Sequence, residues 1–232
     1  MPTPSDNQEK IDFFLISAHE LRTSLSAMKW LFKMLLDGDL GSLTETQRAM
    51  LSQAAGSNER MIGLLNDTMD VIKTDGASIP YAQIPISLSN LIDESLKDFT
   101  SEAGAKGMHI RYSPPATPVI VIGDIEKLRI VIHNLLENAI KYGTKSTDIT
   151  IKLWIEDTAV HLSVSDTGIT IPSSEQRQMF TKFFRATTAR GYPGVGLGLY
   201  ASKHIIERHG GTLTCTSTPE AGTTFTITLP LG

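Results

Sequence analysis

The placement of proline constrains the fold of this chain more than any other feature. Proline removes a backbone hydrogen-bond donor and breaks helices. After Pro4 the next proline is Pro80, and nine of the 11 prolines lie at Pro80 or later. About 75 residues near the N-terminus can therefore form uninterrupted helix, whereas the rest of the 232-residue chain must turn often.

Apolar residues in the proline-free segment alternate steps of three and four, which is the heptad pattern of coiled coils and bundles. The first seam consists of Ile11, Phe14, Ala18, Leu21, Leu25, Met28, Phe32 and Leu35. It stops near Asp37-Gly38, and Thr44 is the predicted N-cap of a second helix over 45–73. The second seam consists of Leu51, Ala55, Asn58, Ile62, Leu65, Met69 and Ile72. We predict a helical hairpin over residues 1–76.

Both apolar stripes are too broad for one pair of helices to cover. We therefore expect two hairpins to associate into a four-helix bundle, which makes the protein a homodimer. The alternative is a single antiparallel hairpin packed against the rest of its own chain.

The pattern changes after a predicted linker at residues 77–85. Residues 86–232 mix helical and alternating periodicities, which indicates an α+β domain with a mixed sheet and helices on one face. We predict helices at 87–104, 124–142 and 197–209. We predict strands at 108–113, 118–122, 148–156, 159–165, 212–217 and 223–229.

Composition excludes several classes of protein. The formal net charge of −4 and the pI of about 5.9 provide no basic surface for nucleic acid. The single cysteine, Cys215, excludes an intramolecular disulfide. No apolar stretch approaches the ~20 residues of a membrane span. We expect a cytoplasmic segment without membrane contact, although a longer parent protein could be membrane-anchored.

A histidine and a glutamate stand together on the first predicted helix. His19 lies one position after a seam residue, on the flank of the helix, and Glu20 follows it directly. A carboxylate beside an exposed imidazole can accept its proton and make the ring a better nucleophile. An ordinary surface histidine is the alternative. The zinc-protease motif HExxH is excluded because the fourth residue after His19 is Thr23.

Asp166-Thr167-Gly168 ends an apolar strand pattern. A carboxylate at a strand end, next to a flexible glycine, is suited to face a ligand. One interpretation is an acceptor for an exocyclic amine such as that of adenine. The others are an ordinary turn and an aspartic-protease loop, which would need a second aspartate across a dimer axis.

Two further segments are suited to phosphate. GVGLGL at 194–199 opens into a helix, so its backbone amides can approach phosphate oxygens, but it lacks both a Rossmann spacing and the lysine of a P-loop. NLLENAIKYG at 134–143 places Asn138, Lys141 and Tyr142 within about one helical turn. An amide oxygen can ligate Mg²⁺ and a lysine can neutralise phosphate, although a solvated polar face is the alternative.

The order of these motifs is more specific than any one of them. HELRTSL, NLLENAIKYG, DTGITIP, MFTKFFRA and GVGLGLYASKHIIERHGG follow one another, and AGTTFTITLP ends the series. The series closely resembles the H, N, G1, F and G2 boxes of a sensor histidine kinase core, across about residues 8–230. The resemblance implies a dimerisation and phosphoacceptor hairpin followed by an ATP-binding domain of the Bergerat (GHKL) type, a two-layer α+β sandwich.

For the hairpin, the resemblance implies that His19 is the phosphoacceptor and Glu20 its general base, while Thr23 positions water for dephosphorylation of the partner. The implied reaction transfers the γ-phosphoryl group of Mg-ATP to a histidine and then to an aspartate of a response regulator. Two alternatives stay open. One is a degenerate module that docks a regulator with little autophosphorylation, and the other is a GHKL-type ATPase that uses Glu137 to activate water.

For the second domain, the resemblance implies an ATP site. Asp166 would accept the adenine amino group, and residues from about 170 to 193, including Phe180 and Phe183, would form a mobile lid. The other implied nucleotide-binding residues are Asn138 (also the Mg²⁺ ligand), Lys141, Tyr142, Gly168, Gly194, Gly196, Gly198 and Thr224.

Two residues depart from the family pattern. Ser24 stands where the H box usually has proline, so we predict a straighter first helix. Thr170 replaces the second glycine of DxGxG, and we expect strain there if the position needs a positive φ.

Overall fold

The computed structural model describes residues 4–75, 81–144 and 147–232. The chain divides into two compact units, residues 1–78 with 193–195 and residues 79–192 with 196–232. The first unit holds two long helices and the second holds an α+β domain. In the long helices, only the backbone is described for residues 4–16, 19, 60, 64, 66–68 and 70–75.

The first unit is a helical hairpin of α1 (Pro4–Asp37) and α2 (Glu45–Asp75). The hydroxyl oxygen of Thr44 accepts a hydrogen bond from the amide of Gln47 (3.3 Å), and Gln47 Oε1 accepts one from the amide of Thr44 (2.9 Å). This reciprocal capping box confirms Thr44 as the N-cap of α2.

The first helix runs through Ser24 without interruption. Serine keeps a backbone amide for the helical ladder, whereas proline would remove it. The hydroxyl of Ser24 donates to the carbonyl of Glu20 (3.1 Å). The helix is continuous here because its sequence lacks proline. No helix in the described part of the chain has the length and apolar character needed to span a membrane.

The hairpin buries few side chains by itself. Among its described side chains, the buried ones are Ala18, Leu25, Asn58 and Met69. Several large apolar side chains stay exposed on it, among them Leu21, Met28, Trp30, Leu31, Met50 and Met61. Two helices therefore leave much of the broad apolar stripe uncovered.

The second unit contains both strands and helices. Its strands are β1 (Ile84–Ser87), β2 (His109–Tyr112), β3 (Ile120–Gly123), β4 (Asp148–Glu156), β5 (Ala159–Asp166), β6 (Thr212–Thr218) and β7 (Gly222–Pro230). Its α-helices are α3 (Leu88–Ala105), α4 (Ile125–Tyr142), α5 (Ser173–Gln176) and α6 (Gly198–Arg208), and Thr187–Ala189 form a 3-10 turn. Each helix and strand predicted for this region is present, with ends that differ by no more than two residues.

Five strands form one mixed sheet in the order β2-β4-β5-β7-β6. β2 and β4 are parallel, and the other neighbours are antiparallel. A separate antiparallel pair joins β1 to β3. Ile84 and Pro85, which the sequence analysis placed in the linker, lie in β1, and residues 77–80 of that linker lie outside the described residues.

The core lies between one face of the sheet and a layer of three helices. α4 packs between α3 and α6 and against β5, while α6 also contacts β6 and α3 contacts β2. Alternate residues of β5 face this layer, and they are buried: Val160, Leu162, Val164 and Asp166. This packing gives the two-layer α+β sandwich, with a carboxylate at the end of an otherwise apolar row.

Candidate nucleotide-binding site and phosphoacceptor helix

Asp166 is a buried acid at the end of β5. Asp166 is only 4% exposed, and its Oδ1 accepts a hydrogen bond from the amide of Gly168 (2.8 Å). Burial raises the pKa of Asp166 to about 6, although the Gly168 hydrogen bond opposes the shift. Burial and then the Asp166 charge raise the pKa of the Cys215 thiol to about 12. The acid therefore lies in a water-poor site suited to a polar ligand.

Gly168 packs directly against the end of α4. A Cβ on Gly168 would lie 2.1 Å from the carbonyl oxygen of Tyr142, so no side chain fits. The next amide, that of Ile169, donates to the same oxygen (3.0 Å). The loop that carries Asp166 is thereby fixed to the last turn of α4.

That turn carries the three predicted phosphate-side residues. Asn138, Lys141 and Tyr142 are each partly buried. The Nζ of Lys141 lies 5.2 Å from the centre of the Tyr142 ring, and this ring lies 5.1 Å from that of Tyr192. The side-chain amide of Asn138 forms no hydrogen bond with any residue that the structure describes. Its oxygen is thus an available ligand of the kind that Mg²⁺ prefers.

Asn134 is a site residue that the sequence analysis missed. Its Nδ2 donates to the carbonyl of Gly198 (3.3 Å) and to the hydroxyl of Ser202 (3.2 Å). These bonds hold the start of α6 beside α4, one turn before Asn138. The signal was present in the sequence, because residues four apart share a helix face.

The glycine-rich loop needs glycine for two different reasons. Gly194 and Gly196 have φ of 130° and 82°, in the left-handed region that residues with a side chain rarely adopt. A Cβ on Gly196 would also lie 2.3 Å from the carbonyl oxygen of Phe184, and the Gly196 carbonyl accepts from the amide of Phe183 (3.0 Å). The loop is therefore packed against the segment that precedes it.

The predicted lid, residues 170–193, is held by internal hydrogen bonds. The carboxylate of Glu175 accepts from the amide and from the hydroxyl of Thr187, each at 2.9 Å. The ring of Phe180 lies 6.5 Å from that of Phe225, whereas Phe183 is 66% exposed and has a φ of 63°. That residues 170–193 open and close over a nucleotide stays a prediction.

Thr170 does not have the positive φ that would strain a residue in place of glycine. Among the described residues other than glycine, only Asp157 and Phe183 have a positive φ. The carbonyl of Thr170 accepts a hydrogen bond from the hydroxyl of Thr188 (2.9 Å). A side chain at position 170 is therefore compatible with the backbone.

Thr224 does not face the side of the sheet that Asp166 faces. Directly paired residues of antiparallel strands share a face, and Asp166 pairs with Thr223, while Thr224 pairs with Ser165. The hydroxyl of Thr224 donates to Ser165 (2.8 Å) on the opposite face. Thr223, and not Thr224, therefore lies on the face of Asp166, and a part for Thr224 in the adenine network stays a prediction. Alternation with the buried Phe225 was the signal that could have identified it.

Thr223 belongs to a buried network that holds the loop after Asp166. Its hydroxyl donates to the carbonyl of Ile169 (3.2 Å) and pairs with the hydroxyl of Ser217 (2.8 Å). Ser217 in turn accepts from the amide of Ile171 (2.9 Å). Beside it, a Cβ on Gly222 would lie 2.0 Å from the carbonyl oxygen of Asp166. Gly222, like Asn134 and Thr223, is a residue of this site that was not identified from the sequence.

The proposed phosphoacceptor chemistry lies on α1 of the first unit. Glu20 and Thr23 are exposed, and Thr23 has an interaction partner. His19 is helical, and its side chain lies outside the described residues. The roles of these three residues stay predictions.

The loop of Asp166 and the start of α6 both attach to α4, so the second unit has the organisation of a nucleotide-binding domain. It follows a helical hairpin that carries a histidine-glutamate pair. Residues 123–232 match the family model "Histidine kinase-, DNA gyrase B-, and HSP90-like ATPase", and residues 9–76 match "His Kinase A (phospho-acceptor) domain". The chain belongs to the sensor histidine kinase family.

Individual relatives agree with this family. The chain is 33% identical over 228 residues to the circadian input-output histidine kinase CikA of Synechococcus elongatus. The matched segment covers 97% of this chain and 30% of that protein. A mycobacterial sensor histidine kinase structure, MprB, has a TM-score of 0.58 at 31% identity, covering 64% of this chain and 98% of that one. ShkA, solved with AMPPNP, has a TM-score of 0.68 at 23% identity, covering 95% of this chain and 46% of that one. The chain spans less than half the length of the curated relatives it matches.

Proposed function

We propose that this chain is the catalytic core of a two-component histidine kinase, which transfers the γ-phosphoryl group of Mg-ATP to His19. The observation that carries the proposal is the attachment of the Asp166 loop and the start of α6 to the same helix, α4. This brings an acid suited to adenine and groups suited to phosphate into one domain. The ShkA structure contains AMPPNP, a nucleotide that resembles ATP.

The adenine end of the proposed site is built around Asp166. A buried carboxylate can accept the exocyclic amino group of adenine, and its one hydrogen bond from Gly168 leaves acceptor capacity free. Gly168 and Gly222 pack against backbone where no side chain fits, so the loop stays close to the sheet. Thr223 holds the carbonyl of Ile169 and thereby the loop that lines this end.

The phosphate end of the proposed site is the last turn of α4. Asn138 would hold Mg²⁺ through its amide oxygen, and Lys141 would neutralise phosphate charge. Bound Mg²⁺ would supply charge neutralisation for the transferred group. Backbone amides of the glycine-rich loop and the positive end of α6 favour the same anion. Tyr142 and the lid segment would limit access of water.

The proposed reaction exchanges one bond for another. A ring nitrogen of His19 attacks the γ-phosphorus, an N–P bond forms, and the bond from that phosphorus to the bridging oxygen of ADP breaks. Glu20 accepts the proton that the imidazole loses. Positioning and charge neutralisation provide most of the rate enhancement in such transfers.

We propose two partners for the hairpin. One is a second copy of the chain, because Leu21, Trp30, Met50 and similar exposed apolar side chains need a cover that two helices do not provide. The other is the receiver domain of a response regulator, whose aspartate takes the phosphoryl group from His19. Thr23 would position water when the enzyme dephosphorylates that partner.

The test is incubation with γ-labelled ATP and Mg²⁺, followed by acid treatment of the labelled protein. We expect an acid-labile label that His19→Gln abolishes and that His109→Gln, a change at an exposed histidine of β2, retains. Nucleotide binding without label would instead favour a degenerate docking module. Free phosphate without labelled protein would favour a GHKL-type ATPase, and Glu137 would then be the residue to replace.

A further inference from the structure

Asn58 is a buried amide inside the hairpin. It is 4% exposed and lies on the apolar seam of α2. The other buried side chains described in the hairpin are all apolar: Ala18 and Leu25 on α1, and Met69 on α2. A polar side chain at such a position weakens an apolar core, and it is known to specify register in helical bundles. Its presence therefore calls for a role other than stability.

Among the residues that the structure describes, the side-chain amide of Asn58 has one hydrogen-bond partner, and that partner is on the other helix. Its Nδ2 donates to the backbone carbonyl of Leu25 (2.9 Å). Its Oδ1 is buried and accepts no hydrogen bond from any residue that the structure describes. Sliding or rotating α1 against α2 would break the one bond and leave both ends of the amide unsatisfied, so the pairing favours a single helix setting.

The carbonyl that Asn58 holds is close to the phosphoacceptor on the same helix. Leu25 follows His19 by six residues, about 9 Å along the axis of α1. Since α1 is continuous between them, fixing Leu25 against α2 also fixes the height and the angular position at which α1 presents His19.

We propose that Asn58 is a positioning residue that sets the register of α1 against α2, and so places His19 for phosphoryl transfer. This inference rests on the proposed function, because it assigns Asn58 a part in the same reaction. A neighbouring interhelical contact provides a control: Lys29 Nζ lies 2.8 Å from Glu59 Oε1, and both side chains are at least half exposed. Exposed ion pairs specify little, so Asn58 and Glu59 should differ in effect.

The experiment compares Asn58→Leu with Glu59→Gln in the full chain. Leucine has a similar volume and no polar atoms, so the variant should fold and melt at or above the wild-type temperature. We expect its rate of His19 labelling to fall by about tenfold while the KM for ATP stays within about twofold, since the nucleotide site is untouched. The ¹⁵N-indole resonance of Trp30, the tryptophan of the hairpin, should split or broaden as registers mix. Glu59→Gln should match wild type in all three measurements.

Three outcomes would overturn the proposal. The first is labelling of Asn58→Leu at the wild-type rate with an unchanged Trp30 resonance. The second is a lower melting temperature with a single Trp30 resonance, since Asn58 would then stabilise the hairpin without setting its register. The third is an equal loss of activity in Glu59→Gln. If wild type takes no label, the proposed function fails, and the Trp30 resonance alone decides the role of Asn58.

Discussion

The backbone amide of Ile169 donates a hydrogen bond of 3.0 Å to the carbonyl oxygen of Tyr142. Ile169 follows the loop of the buried acid Asp166, and Tyr142 is the last residue of α4. This one bond joins the segment proposed for adenine to the helix proposed for phosphate. The bond requires the two backbones to approach closely. Gly168, which precedes Ile169, permits this approach because it has no side chain.

Gly168→Ala should unfold or distort this junction. The added Cβ would lie 2.1 Å from the Tyr142 carbonyl oxygen, a backbone atom that cannot move aside easily. We expect a loss of about 1–3 kcal/mol in the stability of the second unit and a large loss of Mg-ATP affinity, measured by thermal unfolding and calorimetry. Gly191→Ala is the control, since a Cβ there would meet nothing within 4 Å. Equal behaviour of the two variants would contradict the packing argument.

Asp166 should make the stability of the second unit depend on pH. Its pKa is raised from 3.8 to about 6 by burial, so between these values the folded state holds a proton that the unfolded chain has released. The protonated Asp166 therefore favours the folded state. This contribution to the free energy of unfolding is complete below pH 4 and is lost as pH rises through about 6. A rise of the pKa from 3.8 to about 6 corresponds to ~3 kcal/mol.

The measurement is denaturant unfolding of wild type and Asp166→Asn from pH 4 to pH 7 without nucleotide. The asparagine variant cannot ionise at this position, so its stability relative to wild type should increase across that range. A stability difference that stays constant with pH would show that the carboxyl is not perturbed.

Thr223 and Thr224 should respond differently to the same replacement. Thr223→Val removes a buried hydroxyl and leaves the carbonyl of Ile169 and the hydroxyl of Ser217 short of a partner. We expect it to cost about 1–3 kcal/mol and to weaken nucleotide binding. Thr224→Val acts on the opposite face, so titration calorimetry should show nucleotide affinity near that of wild type. A greater loss of affinity in Thr224→Val would instead support a part for Thr224 in the adenine network.

Ser24→Pro should bend α1. Proline would remove an interior helical hydrogen bond, clash with the carbonyl of Glu20, and cost about 3 kcal/mol in hairpin stability. Ser24→Ala removes only the hydroxyl contact to Glu20 and should change stability by less than about 0.5 kcal/mol. Melting curves would separate the two variants. A proline variant as stable as wild type would mean that this turn of α1 tolerates a kink.

The elements of this fold could be predicted from local pattern. Thr44 was identified as an N-cap because capping depends on residues within one turn, and the antiparallel strands β4 and β5 because their alternation is local. Strand β1 was not predicted, since Ile84 and Pro85 were assigned to the linker and the strand pairs only with β3, more than 30 residues further along the chain.

The sequence by itself determined most of the helices and strands and the order in which the motifs of a histidine kinase follow one another, since periodicity, caps and spacing are local properties. Only the tertiary structure decided that Thr223 rather than Thr224 shares the face of Asp166, because strand register selects the face. It also decided that Asn134 holds Gly198 and that Asn58 holds Leu25. These contacts join residues 64 and 33 positions apart, and they exist only once the helices have packed.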